Sequence, residues 1–162
     1  MANVYDLATG TVHAVCESSR LKATTAGHIY DLKCHKALDN GAIVSVGTHV
    51  EGQVFNSKDY AAGGITCLVL TPPFSYNGNK YKSEEKFFYN EKDEIARAYE
   101  LHVGDIYTIS AAGVSGTLTV GSYIDATGKG TASAGSTGFV GKIIEEVNYS
   151  NGKAYRILVE KL

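Results

Sequence analysis

The chain contains no tryptophan, one methionine, two prolines and three cysteines. The methionine is Met1, so any core has to be built from Val, Ile, Leu, Phe and Tyr. The cysteines, Cys16, Cys34 and Cys67, are odd in number and widely spaced. That excludes a complete disulfide framework and makes reduced, packed thiols, made in a cytoplasm, the expectation. The opening MANVYDLATG has no basic segment leading into an apolar run, so no secretory signal is expected. No apolar stretch approaches the ~20 residues that span a bilayer, and no membrane partner is expected. An excess of one charge is missing as well: 15 basic residues stand against 17 acidic ones, for a net charge of −2. Without a long basic run there is no general pull toward a phosphate backbone, so nucleic acid is not expected as a partner.

What is present points to β structure. The 162 residues are 44% hydrophobic and 20% charged, ordinary globular values that permit one domain or two small ones. Eighteen glycines and eleven tyrosines suit twisted strands joined by tight turns. Asp39-Asn40-Gly41, Asn77-Gly78-Asn79 and Ser150-Asn151-Gly152 offer residues that tolerate positive φ. Short runs rich in β-branched and aromatic residues predict strands at 11–16, 28–34, 42–46, 52–55, 66–70, 86–89, 106–110, 117–124, 139–147 and 154–160. Many short strands at this spacing argue for a sandwich or barrel. The expected fold is all-β: a larger β unit over about 1–101, then a small β-barrel-like unit over about 102–162 with a C-terminal hairpin. Composition changes near His102, but no true linker separates the halves, so a single domain stands as the alternative. The stretch 126–138, rich in Ala, Thr, Gly and Ser, reads as an exposed loop.

Two local readings have competing outcomes. A three-residue loop at Ser150-Asn151-Gly152 would set Val147 opposite Tyr155 and Ile143 opposite Val159, but also Glu145 against Ile157, a poor match. Residues 90–101 read either as a helix capped by Asn90 or as a hairpin in which 86–89 turns back at 91–94. The hairpin is preferred, because so short a helix is marginal alone and Phe87-Phe88-Tyr89 favours a strand.

No arrangement of chemically active residues stands out. His13, Cys16, Cys34 and His35 are the first metal-ligand candidates, yet on extended chain His13 and Cys16 face opposite ways, as do Cys34 and His35. Cys67, within Ile65-Thr66-Cys67-Leu68-Val69-Leu70, reads as a buried and unreactive thiol. No GxSxG elbow occurs. Gly128-Lys129-Gly130-Thr131 departs from a phosphate loop, because position 123 is Tyr and Gly follows the lysine. The acidic pairs Glu84-Glu85, Asp93-Glu94 and Glu145-Glu146 read as solvated charges. Neither catalytic residue, metal nor cofactor is therefore expected. Phe74, Tyr76, Tyr81, Phe87, Phe88 and Tyr89 cluster in sequence. They form either the aromatic face of a core or a partner surface, with Phe74, Tyr76 and Tyr81 as the contact candidates.

Three stretches carry a resemblance. One is Tyr99-Glu-Leu-His-Val-Gly-Asp-Ile-Tyr-Thr-Ile-Ser110. The next is Gly116-Thr-Leu-Thr-Val-Gly-Ser-Tyr-Ile-Asp125 with the loop after it. The last runs from Gly138-Phe-Val-Gly-Lys-Ile-Ile to Tyr155-Arg-Ile-Leu-Val-Glu160. In layout they resemble the head decoration (capsid cement) proteins of tailed bacteriophages, over residues 95–162. That resemblance implies a virion structural protein, made in the host cytoplasm, with no catalytic residues. It would bind the major capsid protein on the outer surface of an expanded head, as a homo-oligomer with a trimer favoured. Avidity over many sites would make modest single-site affinity sufficient. An N-terminal arm over residues 1–10 would reach a neighbour by strand addition. A phage tail or baseplate component and a carbohydrate-binding β module, with exposed tyrosines stacked on sugar rings, are the alternatives.

Overall fold

The computed structural model describes residues 12–74, 84–150 and 152–162. Ten strands and one short helix appear in it: β1 (Cys16–Arg20), α1 (Lys22–Ala26), β2 (Ile29–Lys33), β3 (Ile43–Glu51), β4 (Val54–Asp59), β5 (Thr66–Val69), β6 (Ile95–Glu100), β7 (Ile106–Ser110), β8 (Tyr123–Ile124), β9 (Val140–Tyr149) and β10 (Gly152–Lys161). The all-β expectation holds. Among the described residues no helix is long and apolar enough to cross a membrane.

The strands form two sheets. β2, β4, β3, β5 and β6 pair in that order, and β6 returns to β2, so the sheet closes on itself as a barrel. Among the strand pairs of the described residues, only β2 and β4 run parallel. The second sheet is open, in the order β1-β7-β10-β9-β8. Period-two alternation divides the barrel's side chains. Val44, Cys67, Val69, Leu32, Ala96 and Ala98 point inward and form one buried cluster. Ile43 and Leu68 point out and join Tyr107, Ile109, Ile143, Ile157 and Val159 in a second cluster between barrel and open sheet. The Tyr60 hydroxyl locks this interface by accepting the Phe139 N–H at 2.7 Å.

Several local expectations are corrected. Barrel closure occurs within residues 29–100, not in the unit expected at 102–162. The reason lies in the predicted strand 117–124. Gly121 takes a φ of 93° and the Ser122 N–H donates to the Thr119 carbonyl, so a turn leaves only Tyr123–Ile124 as strand. So short an edge cannot reach β1 to close the sheet. The chain passes from barrel to open sheet between β6 and β7, and β1 belongs to the open sheet although it precedes the barrel strands in sequence, because it pairs with β7.

Of the predicted strand 11–16, the described residues 12–16 are strand only from Cys16. The N–H groups of His13, Ala14 and Val15 go to the Lys86 carbonyl, the Asp39 carboxylate and the Ser110 hydroxyl, not to a ladder. Residues 90–101 are not helical, and β6 is a strand as preferred. Its partners are β2 and β5, however, so no slot remains for 86–89. Glu85–Phe87 instead form a 3-10 turn, with the Phe87 and Phe88 N–H groups donating to the Glu84 carbonyl, and Phe88 leaves it in an extended conformation.

The C-terminal hairpin forms in a different register. Ser150, at a φ of 54°, helps turn the chain in two residues, because Gly152 already pairs with Tyr149. Val147 therefore faces Ala154, and Glu145 faces Arg156, with which it forms an ion pair. A bulge then skips Ile144 and brings Ile143 opposite Ile157, both fully buried.

Candidate functional site

Among the described residues, one group of three metal-ligating side chains, His28, Glu100 and His102, lies at a rim of the barrel. Ala96, Ala98 and Glu100 are alternate residues of β6 on its inward face, and His102 continues the alternation beyond the strand end. On β2 the same face carries Leu32 and Tyr30, with His28 just before the strand. The β2–β6 register pairs Ile29 with Tyr99. One step further the Glu100 N–H donates to the His28 carbonyl at 3.1 Å, which sets the two side chains opposite each other.

The backbone on both sides is held in place. Helix α1 ends at Gly27, which takes a φ of 74° and returns its N–H to the Ala23 carbonyl, so His28 follows a defined cap. The buried Asp105 carboxylate accepts the His102 N–H at 2.8 Å and the Lys22 N–H at 3.0 Å, tying the turn after β6 to the start of α1. His28 Nδ1 sits 2.9 Å from Glu100 Oε2, and His102 Nε2 sits 3.5 Å from Glu100 Oε1. All three ligand atoms lie within 4.8 Å of one another. The His102 Nδ1 atom is buried with no hydrogen-bond partner among the described residues, leaving Nε2 as the ring nitrogen with a polar neighbour. Tyr30 and Cys67 line the barrel just below. Burial raises both above their ordinary values, and the Glu100 charge adds to the rise.

A second feature is a cleft of about 610 Å³ between the barrel and the open sheet. Its polar groups hold structure together. Asp39 binds the His13 ring at 2.7 Å and the Ala14 N–H at 3.0 Å. The Asn40 side chain exchanges two bonds with the Thr71 backbone. Lys36 reaches Asp59 at 2.5 Å and His35 reaches it at 3.1 Å, and these bonds hold the Asp59 carboxyl below its ordinary value. Burial pushes Asp125 up, but donation from the Thr127 hydroxyl, the Lys129 and Thr127 N–H groups and the Thr131 hydroxyl outweighs it and holds the carboxyl low.

The residues singled out from sequence are dispersed. Cys16 packs between the sheets, while Cys34 and Cys67 fill the barrel, and all three are free. His13 stacks on Tyr89 at 4.5 Å, and His35 bonds Ser57. Of the aromatic candidates, Phe74 is 59% exposed, Phe88 is buried, and Tyr76 and Tyr81 lie outside the described residues, as does the 1–10 arm. Sequence reading did not unite His28, Glu100 and His102. The available signal was Glu100-x-His102 on one strand face; His28 joins it only through strand pairing across 72 residues.

No protein-family model matches this chain, and neither a curated protein nor a solved structure does.

Proposed function

We propose that this protein is a structural component of a tailed-phage virion that docks on the outer capsid surface and stabilises the expanded head. It acts by binding rather than by catalysis, with the major capsid protein as partner and a trimer as its assembly. One observation carries the reading. The stretches that resemble decoration proteins meet in space: β7, β10, β9 and β8 are consecutive neighbours in one sheet. They make one physical unit instead of three unrelated likenesses. At its loop tips Val103 and Val120 are 66% and 60% exposed, apolar side chains that a partner surface would cover. Immunogold electron microscopy of virions from the source phage tests this. Regular labelling over the head is expected. Labelling confined to the tail replaces the head reading with a tail component. No labelling, together with absence of the protein from virions by mass spectrometry, removes both.

A further inference from the structure

We propose that His28, Glu100 and His102 form a binding site for a divalent transition-metal ion, Zn²⁺ in the first instance, at the rim of the barrel. This goes beyond the structural role above and stands independently of it. Three features support the assignment.

The first is the donor set. Two imidazoles and one carboxylate suit Zn²⁺ and its first-row neighbours, whereas Mg²⁺ and Ca²⁺ prefer oxygen throughout. Two histidines and an acidic residue are also a recurrent catalytic-type zinc set, in which the fourth position is left to water or a ligand.

The second is the geometry. Donor atoms on a tetrahedral zinc at ~2.0–2.1 Å lie about 3.3 Å apart. His28 Nδ1 lies 2.9 Å from Glu100 Oε2 and His102 Nε2 lies 3.5 Å from Glu100 Oε1, so each imidazole already faces one of the two carboxylate oxygens. One donor atom from each residue lies within 4.8 Å of the others, so the set has to draw in by at most about 1.5 Å to reach that spacing.

The third is the way the three residues are held. Glu100 and His102 share one strand face, and His28 is fixed opposite by the ladder. The Gly27 cap and the Asp105 carboxylate hold the chain at both edges of the site. Little ordering cost is left for the ion to bear. The His28 side chain is 57% exposed, which gives the ion a path in and leaves the open position facing solvent.

The bound ion would clip α1 and β2 to the turn between β6 and β7, where the chain passes from barrel to open sheet. Folding and binding would then be linked.

The test uses the full chain freed of metal by chelator. It is titrated with Zn²⁺ by calorimetry and with Co²⁺ by visible absorption, and melting is followed with and without Zn²⁺. One ion per chain, the intense absorption of four-coordinate Co²⁺ and a rise in melting temperature are expected. The variants are His28→Ala, at an exposed position, and Glu100→Gln, which keeps the side chain's shape. Each should lose at least about tenfold in affinity, the lower end of what even supporting residues of zinc sites contribute. Far-UV circular dichroism confirms that the variants are folded. His13→Ala and His35→Ala, at the other ion-paired histidines, should bind as the parent does. The proposal is overturned if the parent chain takes up no stoichiometric ion. It is equally overturned if folded His28→Ala and Glu100→Gln bind as tightly as the parent, or if His35→Ala removes the binding.

Discussion

Truncating Leu32 gives the sharpest test of the closed barrel. Leu32 is fully buried in the barrel interior, where its neighbours across the ladder are Ala96 on β6 and Phe55 on β4. Ala98, Cys34 and Cys67 are small, and Leu38, Val44 and Val69 share the cluster, so Leu32 is among the largest fully buried side chains that fill it. Leu→Ala changes in cores cost about 2.7–5.0 kcal/mol, more where the surroundings cannot collapse onto the gap. Every barrel strand is hydrogen-bonded on both sides, so moving one wall inward strains two ladders. Leu32→Ala should therefore fall near the upper end, at about 4–5 kcal/mol, a large share of the ~5–15 kcal/mol that holds most domains. For a chain of this length each kcal/mol shifts the melting temperature by about 2–4 °C, which gives a drop of roughly 8–20 °C. Urea unfolding followed by tyrosine fluorescence reads this out, since eleven tyrosines and no tryptophan leave the tyrosine emission uncovered. Two controls frame the result. Leu32→Met keeps the volume and should cost under about 1.5 kcal/mol. Ile95→Ala removes a side chain that is 52% exposed and should stay within about 0.5 kcal/mol of the parent. A cost below about 2 kcal/mol for Leu32→Ala, or one equal to that of Ile95→Ala, would refute the filled, closed interior.

Two further predictions concern ionisation. Burial raises Cys34 to about 11 and Cys67 to about 12, and the charges of Glu94 and Glu100 respectively add to this; Cys16 is raised by burial and by Glu17. Ellman's reagent at about pH 8 should leave all three thiols untouched in the folded chain and titrate three in denaturant; a thiol reacting on mixing in the folded chain would contradict their placement. The Asp125 carboxyl is held below its ordinary 3.8, so its contribution is present above that pH and is lost as pH falls through the lower folded value. The Thr127 and Lys129 amide signals should hold steady above about pH 4 and shift only on further acidification, and a transition centred above that pH would remove the proposed hydrogen-bonded anchor.

Much of the strand content was legible because period and composition are local properties. The run 106–110 matched β7, and 28–34 and 66–70 framed β2 and β5, because β-branched and aromatic residues there are bounded by turn residues. The errors fell where backbone groups found partners that sequence does not display. Residues 86–89 have strand composition, but β6 was already paired on both edges. The 117–124 run broke because Gly121 and Ser122 close a turn more cheaply than a ladder forms there.

The hairpin separates the two kinds of information. Alternating apolar residues around Ser150-Asn151-Gly152 determined that the two strands exist and pair. The register was decided by a two-residue turn and a bulge, which together put Ile143 against Ile157 and gave Glu145 an arginine. The candidate site follows the same division. The sequence displays Glu100 and His102 two residues apart, a spacing that keeps side chains on one face of extended chain, but that signal went unused in the sequence reading. That His28 completes the group was decided only by the pairing of β2 with β6. Long-range pairing is chosen by burying both sides of the barrel wall at once, a condition on the whole molecule that no local stretch of residues carries.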